Sequence, residues 1–341
     1  MPKSGIPSFA GRMPHISNEC SRCPARPGVE KSGKEGCLPS AHRIFCGEVS
    51  VKIIDKLKAQ RKPFISVEFF PPADDDALKV FYQTVDKLEV INPLFVSVTY
   101  GAGGAKQDKT LDIATQLARM GYCVMSHLTC VNARVLGLAN YLGRLQDAGV
   151  ENVLALRGDA PKDQQWSWDG RPFQHASDLV RYIRMQASEM CIGVAGYPCP
   201  HPQSVSFTED RMYTLNKIRC GADFAITQLF YDVREYFELV DWLHEHGCDV
   251  PVIPGILPVQ SLSGLTRVLS MCGASIPGKL FLELMEADRK GGSEEVSRMG
   301  LEIAVDMISK LLIGGAPGIH LYTLNKANMC LALARECGFL H

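Results

Sequence analysis

No uncharged apolar run in this 341-residue sequence approaches the ~20 residues a membrane-spanning helix needs; Ile253 to Leu257 is representative. No apolar stretch of signal-peptide type follows Met1. Charge of one sign is also missing. With 36 Lys+Arg against 37 Asp+Glu the net charge is −1, so there is no electrostatic footprint for nucleic acid or an anionic membrane. The sequence has no G-x-S-x-G elbow, no H-E-x-x-H helix, no Walker A loop and no G-x-G-x-x-G fingerprint. Thirteen cysteines are present, an odd number. Most lie in apolar segments (Cys123, Cys130, Cys191, Cys220, Cys330), where a thiol is a small buried hydrophobe rather than half of a disulfide scaffold. The expectation is a soluble cytoplasmic protein with no nucleic-acid, membrane or metal partner.

What is present is a globular composition, 46% apolar and 21% charged, with length enough for one large core. Residues 1–47 stand apart. They carry Lys3, Arg12, Arg22, Arg26, Lys31, Lys34 and Arg43 against Glu19, Glu30 and Glu35, a balance of +4, with frequent Pro, Gly and Ser and no apolar period. A disordered extension over 1–47 is expected. A transit peptide is disfavoured by its weak amphipathic character. A zinc site at Cys20, Cys23, Cys37 and Cys46 is disfavoured by the spacing of the second pair.

From residue 48 to 341 the pattern is regular and reads as one domain. Apolar, β-rich runs at 64–70, 94–100, 123–131, 152–157, 191–197, 224–230, 251–257 and 318–324 alternate with helical periods at 75–90, 109–120, 133–148, 176–190, 208–220, 233–246, 262–271 and 294–312, and a last helix covers 326–337. Strands apolar on both faces and separated by helices require a parallel sheet covered by helices. Eight such units favour an α/β fold of (β/α)8 TIM-barrel type over an open doubly wound sheet. An extra short helical piece is expected within 272–292.

A barrel places its site at the C-terminal ends of its strands, and polar residues collect there: Glu68, Thr99-Tyr100 with Gly101–Gly104, His127, Arg157-Gly158-Asp159, Tyr197 and His201, Thr227-Gln228, and Tyr322 to Lys326. Each has a structural alternative, such as a paired carboxylate for Glu68, a satisfied core imidazole for His127, a plain turn for Arg157–Asp159 or a backbone cap for Gln228. Their coincidence on one face makes independent structural roles for all of them improbable. An acid, a glycine-rich bend and many apolar walls suit a large planar organic cofactor, with the protein supplying binding and electronic tuning.

At these residues the sequence resembles the methylenetetrahydrofolate reductases. The motifs run in order: Val67–Pro72, Ser97–Ala102, His127–Cys130, Leu154–Asp159, Gly196–Pro198 with His201-Pro202, Ala222–Gln228, Ile253–Pro258 and His320–Asn325. The resemblance covers about residues 50–340. It implies a catalytic barrel of bacterial type, ending where the regulatory domain of larger eukaryotic forms begins. That barrel holds FAD without a Rossmann domain and reduces 5,10-methylenetetrahydrofolate to 5-methyltetrahydrofolate, which feeds methionine synthesis. The implied cycle is ping-pong: NADH or NADPH gives hydride to FAD and leaves, then the folate takes it from flavin N5. A homo-oligomer is also implied.

Carried over motif by motif, Glu68 is the general acid that assists opening of the folate's imidazolidine ring, and burial beside Phe69 and Phe70 would keep its carboxyl protonated. Asp159 stands near the flavin and the pterin, where its charge lowers the flavin potential and favours a cationic folate intermediate. Thr99, His127, Leu156, Arg157, Gly158, Asp159, Ala176, Ala195, Tyr197, His201, Asp210 and Lys217 fall at FAD-contacting places, with Arg157 and Lys217 suited to its charged parts. Gln228, Leu324 and Lys326, with Glu68 and Asp159, fall at the folate.

The sequence also departs from the family pattern. Gln203 replaces a Glu after His201-Pro202, His175 a Tyr, Tyr213 and Asn216 an Asn and an Arg, and Lys326 an Arg, while Gly264 and Val268 replace a Gln and a Phe against the nicotinamide. Two other readings remain at this level: the same folate chemistry fed by a redox-protein partner, and an idle homologue acting as a binding or regulatory subunit.

Overall fold

The computed structural model describes residues 52–100, 107–160 and 166–340. The extension expected over 1–47, its cysteines and the Gly101–Gly104 bend lie outside these residues. Nine short strands all pair in parallel: β1 (Phe64–Phe69), β2 (Val96–Val98), β3 (Val124–Thr129), β4 (Asn152–Leu156), β5 (Cys191–Gly196), β6 (Phe224–Thr227), β7 (Val252–Ile253), β8 (Gly255–Ile256) and β9 (Gly318–Tyr322). Their order, β7-β6-β5-β4-β3-β2-β1-β9-β8, begins and ends on two fragments separated by Pro254 alone. β7 pairs with β6 and β8 with β9. They are the two halves of one strand, interrupted where proline has no N–H for the ladder. The Pro254 carbonyl still accepts from His320 N at 2.9 Å. Counted so, eight strands close a (β/α)8 barrel.

Helices α2 (Asp75–Leu88), α3 (Gln107–Arg119), α4 (Val135–Asp147), α5 (Ala176–Gln186), α6 (Phe207–Arg219), α7 (Val233–Glu245), α8 (Leu262–Cys272), α9 (Gly278–Ile313) and α10 (Ala327–Glu336) follow the strands. Several start on a short polar side chain that accepts from the first turn. Asp74 takes Ala77 N at 2.8 Å, Ser206 takes Glu209 N at 3.1 Å and Ser261 takes Gly264 N at 3.1 Å, caps each worth ~1 kcal/mol. The expected short piece before residue 292 is a long helix. α9 starts at Gly278 and breaks only at Gly291-Gly292, which leave helical dihedrals. None of these helices is long and apolar enough to cross a membrane among the described residues.

Two apolar cores result. The larger lies between the sheet and its helices. The smaller fills the barrel's lumen: Phe64, Phe95, Met125, Leu154, Phe224, Ile226 and Ile253 meet there, closed from below by Ile53. Ile53 comes from an additional first helix, α1 (Ile53–Ala59), which the periodicity does not announce. Its entry is fixed by polar contacts at the strand starts, with Ile53 N donating to Asn152 Oδ1 at 2.7 Å and Ile54 N to Cys191 Sγ at 3.4 Å.

Candidate active site

Side chains alternate along a strand, so Ser66 and Glu68 of β1 face the lumen while Val67 and Phe69 face the helices. The same parity sends His127 of β3 and His320 and Tyr322 of β9 inward. Above the apolar plug these positions open into a cavity of about 640 Å³, within the ~300–1,000 Å³ of small-molecule and cofactor sites.

Glu68 is buried at its foot, 7% exposed. Its Oε2 lies 3.5 Å from His127 Nε2 and 3.6 Å from His320 Nε2. The shelter expected from Phe69 and Phe70 is therefore built differently. Phe69 packs outward on Phe81, ring centroids 5.4 Å apart, Phe70 stands at the cavity half exposed, and two imidazoles form the walls. Burial pushes His127 down to about 4 against the opposing pull of the Glu68 charge, so at neutral pH it is an uncharged neighbour. Its Nε2 has no hydrogen-bond partner among the described residues.

The backbone around Glu68 is stapled by the turn after β9. Thr323 Oγ1 donates to the Glu68 carbonyl at 2.6 Å. The Asn325 carboxamide takes Phe70 N at 2.9 Å and gives to Phe70 O at 2.8 Å. Both Leu324 (φ +49°) and Asn325 (φ +56°) are left-handed. The chain therefore turns away from the lumen, and Leu324 and Lys326 are exposed and outside the cavity lining. The other sequence-predicted residues, Glu68, Thr99, His127, Leu156, Arg157, Gly158, Asp159, Ala176, Ala195, Tyr197, His201, Asp210, Lys217 and Gln228, all line it.

The Pro254 interruption shapes the β6 side. Gly255 N donates to Thr227 Oγ1 at 2.9 Å, and the Thr227 carbonyl instead accepts from the Tyr322 hydroxyl at 2.6 Å. A Cβ at Gly255 would run into both that carbonyl and that hydroxyl, so only glycine fits. Burial, then the Glu68 charge, holds the Tyr322 phenol well above its ordinary value. Next along β6, Gln228 N donates to Gly196 O at 2.8 Å, and its own Oε1 accepts from Leu229 N at 3.0 Å. Its NH2 is the end left for a ligand.

On the other side, Gly158 is left-handed (φ +75°), with Thr129 and Val131 close above it. Arg157 Nη2 donates to Gln203 Oε1, and its guanidinium lies 5.2 Å from the centre of the Trp168 ring. Asp159 is exposed at the mouth. From α6, Lys217 Nζ donates to Ala195 O at 2.5 Å and stands 5.4 Å over the Tyr197 ring. Burial lowers Lys217 to about 8, with Asp210 opposing. Asp210 Oδ1 accepts from His201 N at 3.1 Å and Ser204 Oγ at 2.7 Å, while its buried Oδ2 has no partner among the described residues. His201 Nδ1 accepts from Gln203 N at 3.2 Å. The ring proton of neutral His201 therefore sits on Nε2, as a donor. At the rim, His175 and Tyr213 stack with planes 16° apart.

Sequence reasoning placed Tyr322 among the strand-end polar residues without a specific role, and gave none to Ser204 or Trp168. Tyr322 had a signal, since it sits two residues beyond His320 at the same inward parity. Trp168 had none, because its loop has no period.

The profile of the methylenetetrahydrofolate reductase family matches residues 52–338. The chain belongs to that family. It is 34% identical over 307 residues to methylenetetrahydrofolate reductase (NADH) 1 of Arabidopsis thaliana, covering 85% of this chain and 51% of the plant protein. The chain thus spans about half the length of that relative. It is also 34% identical over 275 residues to the 5,10-methylenetetrahydrofolate reductase of Escherichia coli, covering 80% of this chain and 90% of the bacterial one. Among solved structures, a Clostridium thermocellum protein that binds two copies of 5-methyl-5,6,7,8-tetrahydrofolic acid aligns with TM-score 0.60 at 15% identity. It covers 84% of this chain and 98% of that one, and the likeness shows the fold. At Gln203 a neutral side-chain carbonyl engages Arg157 without cancelling the guanidinium's charge.

Proposed function

We propose that this chain reduces 5,10-methylenetetrahydrofolate to 5-methyltetrahydrofolate by a ping-pong cycle, with FAD as its flavin and NADH or NADPH as hydride donor. The observation that carries the reading is the placement of Glu68, a carboxyl enclosed at the foot of a cavity whose mouth holds Asp159 and whose wall offers the Gln228 amide. The residues fit a flavin dinucleotide. Asp210 Oδ2 is a buried acceptor with no donor among the described residues, His201 Nε2 is a donor, and Arg157 supplies a cation matched to phosphate. When bound, FAD would supply the hydride relay between nicotinamide and folate.

The chain's own groups then divide the work. Glu68 holds a proton and delivers it to the amine nitrogen that leaves as the imidazolidine ring opens. Asp159 sets a negative charge beside the cation that develops on the folate. Gln228 fixes the heterocycle through its NH2. Lys217, tied to Ala195 O, stiffens the β5 wall behind Tyr197. The protein acts as a homo-oligomer in the cytoplasm in this reading, and deletion of residues 1–45 leaves its activity intact.

Anaerobic stopped-flow mixing with NADH and NADPH separately tests it. Bleaching of a yellow, flavin-loaded protein by either nucleotide, followed by reoxidation with 5,10-methylenetetrahydrofolate, is expected. Bleaching by a chemical reductant but by neither nucleotide would move the electron source to a redox protein. A colourless protein that refuses FAD would defeat the reading.

A further inference from the structure

His320 is fully enclosed on β9 and lies outside the cavity lining. Its ring stacks on Phe95, centroids 5.6 Å apart and planes 16° apart, and meets Tyr322 edge-on at 5.5 Å. Its Nδ1 lies 2.8 Å from Ser66 Oγ, and the same hydroxyl has the Ile319 carbonyl within reach as an acceptor at 3.2 Å. When Ser66 gives its proton to that carbonyl it accepts from Nδ1, which then carries the ring proton and leaves a lone pair on Nε2. That lone pair faces Glu68 Oε2 at 3.6 Å, with Ser97 Oγ at 3.5 Å.

A lone pair against a carboxylate, both largely withdrawn from solvent, is repulsive unless a proton lies between them. We propose that Glu68 and His320 share one proton, with His320 acting as the positioning residue that keeps the acid loaded. The inference rests on the general-acid role given to Glu68 above and adds where its proton is kept. The other titratable groups facing Glu68 are His127 from β3 and Tyr322 from β9. Burial holds the first neutral by lowering it to about 4. The second is kept un-ionised, its proton committed to Thr227 O. Neither competes for the charge. On turnover the Glu68 O–H bond breaks as the folate amine's N–H bond forms, and the pair regains one proton from water through the cavity. The separation of 3.6 Å is of the kind that tightens when a ligand closes the site.

The test uses the flavin-loaded protein. Infrared difference spectra between wild type and Glu68→Gln at pH 7 are expected to contain a protonated-carboxyl band that shifts in D2O. In His320→Gln, whose amide donates to a carboxylate and stores no proton, that band should be lost. The basic limb of the folate half-reaction should then move to lower pH by a unit or more, a tenfold change in proton affinity, while flavin reduction by nucleotide is unchanged. Ser66→Ala, which frees the tautomer, should shift the limb the same way, and serves if His320→Gln fails to fold. A wild type without the band, or a limb unmoved in both variants, overturns the proposal. A band present in a protein that reduces no folate leaves the proton pair standing and removes the proposed activity instead.

Discussion

The two ends of the barrel's lumen are made by the same strands with the same inward parity, and they could hardly differ more in content. At the strand starts Phe64, Phe95, Phe224 and Ile253 interlock and Ile53 seals them. At the strand ends the same rows carry Glu68, His127, His320 and Tyr322, and α6 adds Asp210 and Lys217. Burying Phe, Leu or Ile stabilises by ~1.5–3 kcal/mol each, whereas an enclosed ionisable group costs stability unless paired. His127 and Lys217, both shifted toward their neutral forms, are the visible cost. The lesson is a division of labour along one axis: the floor supplies the stability that lets the mouth be chemically useful.

Substitutions at the two ends should therefore fail in different currencies. At the mouth, Glu68→Gln should slow the folate half-reaction by ~10²–10⁴-fold, the range of general acid catalysis, and leave nucleotide-driven bleaching nearly intact in stopped-flow. Equal loss in both half-reactions would remove the acid role. At the floor, Phe224→Ala should lower the unfolding free energy by ~3–5 kcal/mol, read from urea melts, while the folded fraction retains its flavin. Flavin loss there would mean the ends are not separable.

Smaller and signed is the acid dependence. His127 is near 4 folded against 6.5 in an unfolded chain, so the unfolded state binds more protons between those values. Stability should then rise with pH from 4 to 6.5 and level off above, by roughly 3 kcal/mol at ~1.4 kcal/mol per pH unit. A His127→Asn variant should show a flatter urea-midpoint profile across that window, and an identical profile would shift the burden to other groups. Smallest is Asp159→Asn at the exposed rim, expected to raise the flavin midpoint potential by about 30 mV, equivalent to ~1.4 kcal/mol for two electrons, in spectroelectrochemical titration.

The same contrast explains what could be read beforehand. Alternating apolar runs and helical periods carry the barrel because parity and period are local properties, and the clustering of Glu68, His127, Arg157 and Gln228 follows from strand polarity alone. The break at Pro254 lay inside a legible run, but its effect depends on Thr227 and Tyr322, which sit 95 residues apart. Helix α1 was missed because seven residues carry too little period. Leu324 and Lys326 were placed at the folate by motif alone, whereas two left-handed residues in succession, Leu324 and Asn325, leave both exposed and outside the cavity lining. His320 stood within a recognised motif without a role, since its partner Ser66 is 254 positions away.

The staple between the first strand and the turn after the last has a consequence for biosynthesis. Thr323 and Asn325 grip Glu68 and Phe70 across 255 positions, so a nascent chain carries its acid from early in translation with nothing to hold it. Until the ribosome has delivered β9, the first strand has one exposed edge and lacks the contacts that fix the backbone beneath that carboxyl. Such long-range closure is slow and leaves the growing chain open to mispairing, and the site becomes competent only once β9 has joined the first strand.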